Sequence, residues 1–235
     1  MKKVSKFGGS SLASAKQFKK VGDIIRADKS RRYVVPSAPG KRNDKDEKVT
    51  DMLYACYDAA SEGRSYKKIL EKIRGRYEEI IEGLDLNLNL DHEFAKLEEN
   101  FLAGAGRDYA ASRGEYLNGI VIANYLGYEF IDAAEVIFFD EEGEFDAEKT
   151  NEVLSERLAH TERAVIPGFY GSNPDGTIHT FSRGGSDITG SIVARAVHAD
   201  MYENWTDVSG FLIADPRIIK NPKAIDVITY RELRE

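Results

Sequence analysis

The chain holds one cysteine, Cys56, in 235 residues, which excludes an intrachain disulfide and any cysteine-rich metal site. Such sparing use of thiols points to a reducing compartment, read as the cytoplasm. Its four histidines, His92, His160, His179 and His198, are scattered without ligand spacing, so no protein metal site is assigned. No apolar run is long enough to span a bilayer, and the opening MKKVSKFGG lacks the apolar stretch of a secretory signal. Basic residues are in the minority, 33 against 40 acidic ones, for a net charge of −7. Neither a nucleic acid nor a membrane is therefore expected as a partner, although a local basic pocket is compatible with that balance. Internal repeats and low-complexity linkers are also lacking. At 42% hydrophobic, the chain can bury one substantial core and carry a small subdomain.

What the chain does have is glycine at three separated and chemically pointed places. Lys6-Phe7-Gly8-Gly9-Ser10-Ser11 follows a short apolar stretch. Residues 182–187, SRGGSD, open a helical run, and residues 206–210, TDVSG, lead into Asp215-Pro216-Arg217. A glycine pair lets the backbone approach a phosphate closely. Where such a turn opens a helix, the free N–H groups and the dipole favour an anion. Lys6 adds a mobile positive charge beside the first pair. The same glycines would also serve a tight strand-to-helix connection, and Asp187 in a first helical turn is favoured by the dipole alone. Neither G-x-x-x-x-G-K-[ST] nor G-x-G-x-x-G occurs in these loops, which argues against the commoner nucleotide folds.

Strand-like and helical stretches alternate, the pattern of a largely parallel sheet covered on both faces. Strands are expected at residues 4–7, 32–37, 163–167, 201–205 and 225–228, with one or two more within 129–139. Helices are expected at 12–25, with Phe18, Val21 and Ile25 on one face, and at 109–125 and 186–198. A long helical region runs from 49 to about 103 with a break at 85–91. Residues 41–48 hold no apolar side chain and read as a mobile surface loop. Turns are expected at 37–40, Gly143, Gly171 and Asp175-Gly176, the last as a hairpin, and again at Asp215-Pro216.

KFGGSS, Val49-Thr50, Ser112-Arg113-Gly114-Glu115, SRGGSD, and TDVSG followed by ADPR, in that order, resemble the amino-acid kinase family, and within it the aspartokinases. The resemblance covers nearly the whole chain, residues 6–217, and the Ser112–Glu115 motif sets it apart from acetylglutamate, uridylate and carbamate kinases. It implies an α/β three-layer sandwich with a mainly parallel sheet over residues 1–235, including a helical acceptor-side subdomain at 49–125. It implies phosphorylation of the β-carboxylate of L-aspartate by ATP to give 4-phospho-L-aspartate, the first step of lysine, threonine and methionine biosynthesis. Mg2+ would be held chiefly by phosphate oxygens and water. Lys6 would contact the transferring group and Asp187 would hold Lys6, with Gly8, Gly9 and Ser10 donating to phosphate. Thr50, Glu115, Arg183, Gly184, Gly185 and Ser186 would bind the acceptor: Arg183 as a fork for the α-carboxylate, Glu115 for the α-ammonium. Thr206, Asp207, Leu212 and Arg217 would serve the nucleotide. A sibling kinase acting on another carboxylate such as N-acetylglutamate, or an inactive nucleotide-binding fragment, is the alternative. The family continues past Glu235 with a Gly-Ala-Lys segment and regulatory domains. The chain is therefore expected to be a truncated form with an incomplete ATP site, and Lys220 and Lys223 do not match the missing lysine. Homo-oligomerisation is left open.

Overall fold

The computed structural model describes residues 1–182, 184–206, 210 and 218–223, in two units, Met1–Trp205 and Thr206–Glu235. In the second unit the described residues form bends and a turn, with Gly210 and Asn221 at positive φ. The expected strand at 225–228 and the Asp215-Pro216 turn lie outside the described residues.

The strands of the first unit are β1 (Lys3–Phe7), β2 (Arg31–Pro36), β3 (Glu129–Phe130), β4 (Ala164–Val165), β5 (Tyr170–Ser172), β6 (Ile178–Thr180) and β7 (Met201–Trp205). Its helices are α1 (Ala15–Ala27), α2 (Val49–Ser61), α3 (Lys67–Gly83), α4 (Asp91–Leu102), α5 (Arg107–Leu126), α6 (Ala133–Val136), α7 (Ala147–Ala159) and α8 (Gly185–Ala196). Five strands make one sheet in the order β3-β4-β2-β1-β7, every pair parallel, while β5 and β6 form a separate antiparallel hairpin around Asp175-Gly176. Side chains alternate across the sheet as the pleat requires. Phe7, Val34 and Val165 join a core with α1 to α5, whereas Val4, Tyr33, Val35, Ala164 and Ile166 join a second core with α6, α7 and α8. The result is three layers, with a sheet apolar on both faces. No helix among the described residues is long and apolar enough to cross a membrane.

Several local expectations need correction. The helix expected from residue 12 begins at Ala15. Residues Gly9–Leu12 form a 3-10 turn instead, with Ser11 N–H donating to the Gly8 carbonyl and Leu12 fully buried as its anchor. Within 129–139 only Glu129–Phe130 is a strand of the sheet. Asp132 accepts from the Ala134 amide and starts the helical turn α6, leaving Phe138 and Phe139 in isolated bridges. Gly171 lies inside β5 rather than in a turn, and glycine serves there because a Cβ would collide with the Ile137 carbonyl. Helix α7 was not expected. Asp146 caps it through the Lys149 amide, and Leu154 and Leu158 bury its inner face.

Helices α2 to α5 fill one continuous core through Leu53, Tyr77, Phe94 and Leu117, which also takes in Cys56. Burial pushes the Cys56 thiol up to about 12, so it is a packing group, not a reactive one. Residues 41–48 lie largely at the surface, but they are pinned. Asp46, 6% exposed at its side chain, takes ion pairs from both Arg42 and Arg76. Gly171→Ala should cost about 1–3 kcal/mol through forced movement of the 137 backbone. Gly75→Ala, in α3 with open space around the new methyl, should gain about 0.5–1 kcal/mol. Urea melts of the two variants, expected to move in opposite directions, check both.

Candidate functional site

In a parallel sheet the polar backbone freed at the carboxyl ends of the strands collects on one side, and ligands gather there. The turns at that edge are stitched together. Gly8 N–H donates to the Trp205 carbonyl (3.1 Å), Ser37 N–H to Phe7 (3.0 Å), and Gly168 N–H to Pro36 (3.1 Å). One close approach is between two glycines. Gly40 N–H donates to the Gly9 carbonyl at 2.8 Å. A Cβ on Gly9 would lie 2.8 Å from the Ala38 carbonyl, and one on Gly40 would lie 2.7 Å from the Gly9 carbonyl carbon. Gly8 differs: the nearest atoms to a Cβ there are the Trp205 carbonyl at 3.8 Å and Lys6 Nζ at 3.9 Å. Packing does not demand glycine at 8, and its absent side chain leaves space beside an ammonium group.

Among the described residues, Lys6 brings a cation to this edge. It lies in β1, is 8% exposed, and pairs in register with Val35 on one side and Asn204 on the other. Its Nζ is 2.8 Å from Asp187 Oδ1, and Asn204 Nδ2 donates to the same oxygen at 2.9 Å. Asp187 sits in the first turn of α8, which starts after Gly184 at φ 58°, a left-handed conformation that suits glycine. The Asp187 side chain remains 47% exposed, so the pair is open on one side. Gly185 and Ser186 are buried against the 168–169 turn, where a Cβ on Gly185 would lie 2.7 Å from the Phe169 ring. Phe169 has φ 83°, a strained value for a bulky residue. The strain is held by the Thr189 hydroxyl, which accepts from the Phe169 N–H, and by the Phe181 N–H, which donates to the Phe169 carbonyl.

The turn at residues 37–40 rests on α5. Gly114 brings the helix close, since a Cβ there would lie 2.8 Å from that of Ala38, and Asn118 Nδ2 donates to the Ser37 carbonyl at 2.6 Å. Glu115 is 6% exposed beneath this turn. Burial pushes its carboxyl up to about 7, against the smaller opposing pull of the Ala38 and Glu115 amides and of Arg113. Two acceptor atoms here, Glu115 Oε2 and Asn118 Oδ1, are buried without a hydrogen-bond partner. They stand one turn apart on one helix. Such a pair suits a donor, and a cationic donor best. Arg113 lies instead over the rings of Tyr109 (4.7 Å) and Tyr116 (4.3 Å). Thr50 is half-buried in the first turn of α2, whose Val49 N–H donates to the Pro39 carbonyl (3.2 Å).

The structure thus groups Lys6, Gly8, Gly9, Ser10 and Asp187 with Gly184–Ser186, and links Thr50 and Glu115 to them through residues 37–40. Thr206 directly follows β7 as the first residue of the second unit. Arg183, Asp207, Leu212 and Arg217 lie outside the described residues. Asn204, Asn118 and Phe169 were not singled out from the sequence. None of the three carries a signal in the sequence; the register of Asn204 with Lys6 exists only in the folded sheet.

Glu115 titrates higher when folded, about 7 against 4.5, so its proton is bound more tightly in the folded state. Stability is therefore lost as pH rises through that window. Glu115→Gln, which cannot ionise, should be more stable than the parent at pH 8 by on the order of 1–3 kcal/mol, and near parity at pH 4.5. Urea melts at the two pH values check this.

The profile of the amino acid kinase family matches residues 1–235. Among curated relatives, Aspartokinase 3 of Bacillus subtilis (strain 168) is 40% identical, over 99% of this chain and 54% of the relative. Among solved structures, the crystal structure of Clostridium acetobutylicum aspartate kinase is similar at TM-score 0.95 and 55% identity, covering 99% of this chain and 54% of that one. The crystal structure of E. coli aspartokinase III in complex with aspartate and ADP is similar at TM-score 0.81 and 28% identity, over 96% and 54%. This chain spans about half the length of the relatives it matches.

Proposed function

The chain belongs to the amino acid kinase family, and on that footing we propose that it transfers the γ-phosphoryl group of Mg-ATP to the β-carboxylate of L-aspartate. The observation that carries this reading is a pair of complementary features at one sheet edge. A nearly buried ammonium, Lys6, lies beside the space left by Gly8. A buried carboxyl with an unpartnered oxygen, Glu115, lies beneath the adjoining turn. The aspartokinase relatives, one of them solved with aspartate and ADP, support the choice of substrates.

In this reading an oxygen of the aspartate β-carboxylate attacks the γ-phosphorus, the bond from phosphorus to the bridging oxygen breaks, and ADP leaves with that electron pair. Protein groups align the partners and neutralise charge on the equatorial oxygens. Lys6 Nζ does so, steadied by Asp187 and Asn204. Gly9 and Ser10 donate to the polyphosphate, while Gly8, expected as a further donor but with its N–H taken by the Trp205 carbonyl, leaves room for it beside Lys6. Mg2+ enters on the nucleotide as part of the substrate. Gly184, Gly185 and Ser186 offer the first amides of α8, where the dipole favours an anion. Glu115 takes the acceptor's α-ammonium, Thr50 donates to a carboxylate, and Arg183 binds the α-carboxylate. Thr206, Asp207, Leu212 and Arg217 serve the nucleotide. An N-acetylated acceptor has no ammonium, and would leave the buried Glu115 oxygen unpaired.

Trapping with hydroxylamine in Mg-ATP tests the reading. An aspartate-dependent hydroxamate is expected, absent with N-acetylglutamate and reduced at least about 100-fold in Lys6→Ala. Hydroxamate with N-acetylglutamate alone, or full activity in Lys6→Ala, would sink it. The KM for aspartate should rise as pH falls below about 7, because the ammonium must displace the Glu115 proton. Glu115→Gln should raise that KM and flatten its pH dependence.

A further inference from the structure

Arg76 belongs to α3, which contributes no strand and none of the residues assigned above, yet it is only 3% exposed. Its guanidinium reaches into the turns at the sheet edge. Nη2 donates to the carbonyls of Gly40 (2.9 Å) and Ala13 (3.2 Å), while Nη1 donates to Asp46 Oδ2 (2.8 Å) and the Glu47 carbonyl (3.2 Å). The four acceptors come from three stretches: the segment after β1, the turn after β2, and the charged loop at 41–48. Gly40 is the hinge point, its carbonyl held by Arg76 and its N–H by the Gly9 carbonyl. Asp46 is further fixed by Arg42, which also pairs with Glu79 of α3. The Arg76 Nε is buried with no partner. Leaving such a donor unmet is costly, so the geometry is set by the turns that the guanidinium joins and not by its own full satisfaction.

We propose that Arg76 is a positioning residue for phosphoryl transfer, fixing the spacing between the glycine turn after β1 and the turn after β2 without touching either substrate. The proposal rests on the phosphotransferase reading above. Through Gly40 and Gly9 it governs the register of the phosphate side of the site, with Gly8 and Lys6, against the acceptor side, with Glu115. A guanidinium is required because its planar fork can serve four acceptors in fixed directions, whereas a lysine ammonium keeps the charge with only three donors.

Arg76→Lys therefore separates geometry from charge. It should melt within a few degrees of the parent, yet lose kcat by at least about tenfold, with the aspartate KM changed less than about twofold. Calorimetric titration should show Mg-ADP binding several-fold more weakly, and millimolar guanidinium should restore kcat to Arg76→Ala. Parent-like kcat and Mg-ADP affinity in a folded Arg76→Lys would reduce Arg76 to a structural staple and overturn the proposal. If Arg76→Lys does not fold, Arg76→Gln, whose neutral amide is easier to bury, decides. It is too short to join the Gly40 and Ala13 carbonyls that Nη2 bridges, so a lower kcat at unchanged aspartate KM supports the proposal, and an unchanged kcat overturns it. Should the parent chain form no acyl phosphate with any acid, the functional reading fails, and the Mg-ADP affinities of parent and variant still decide the role of Arg76.

Discussion

A lysine on a central strand of a sheet that is apolar on both faces needs a counter-charge before the sheet can be covered. In this protein Asp187 supplies it, and much of the architecture is the means of delivering that carboxylate. Helix α8 must begin where Lys6 ends, which calls for the left-handed turn at Gly184 and close packing of Gly185 on Phe169. The neighbouring strand must run parallel and in register, so that Asn204 falls opposite Lys6 and takes part in the same contact. Because the Asp187 side chain stays half exposed, the pair satisfies Lys6 without burying its counter-ion. The ammonium is thus held in place while one side of the pair still faces solvent.

The edge of the sheet is assembled by a second, quite different principle. Elsewhere buried polar groups are mostly satisfied, as in the Glu203 carboxylate. Burial would raise it, yet Arg31, Trp205, Lys3 and Ser5 together hold it down at about 2. Beneath the 37–40 turn the opposite holds, with Glu115 and Asn118 each presenting an unpaired acceptor. Local cost of this kind, like the backbone strain at Phe169, persists only where the surroundings over-determine it. The contrast between one carboxyl held far down and another pushed far up, in the same small domain, comes from deeper burial of Glu115 and from partners. Glu203 has four, and Glu115 has few donors to offset its burial.

Much of the fold was legible from pattern. The apolar runs of β1 and β2, the spacing of Phe18, Val21 and Ile25, and the glycine ahead of α8 each carry a local signal strong enough to survive tertiary context. The misses have identifiable causes. Residues 129–139 are apolar enough to read as strand, but Asp132 can cap a helical turn, and that local bond won. Helix α7 lies in a charged stretch where few apolar residues mark the period, and its cap at Asp146 was the better signal. Gly171 looked like a turn because close backbone approach is invisible in sequence. The charged loop at 41–48 looked free because its anchor, Arg76, is some thirty positions away and reads as one more surface charge on an amphipathic helix. On the site, short motifs single out residues such as Lys6, Glu115 and Asp187, while Asn118 and Phe169, defined only by what folds against them, carry no such signal.

The contact between Gly9 and Gly40 has a consequence for how this protein can change over generations. At each position the obstacle to a side chain is the main chain of the other segment, not a side chain that could be trimmed. A substitution at one therefore cannot be repaired by altering the residue at the other, since both are already as small as a residue can be. Relief would require the turns themselves to separate, which the Gly40 bonds to Gly9 and Arg76 oppose. The pair forms a dead end for compensatory mutation: variation can accumulate around it, in the helices and along the charged loop, but not through it.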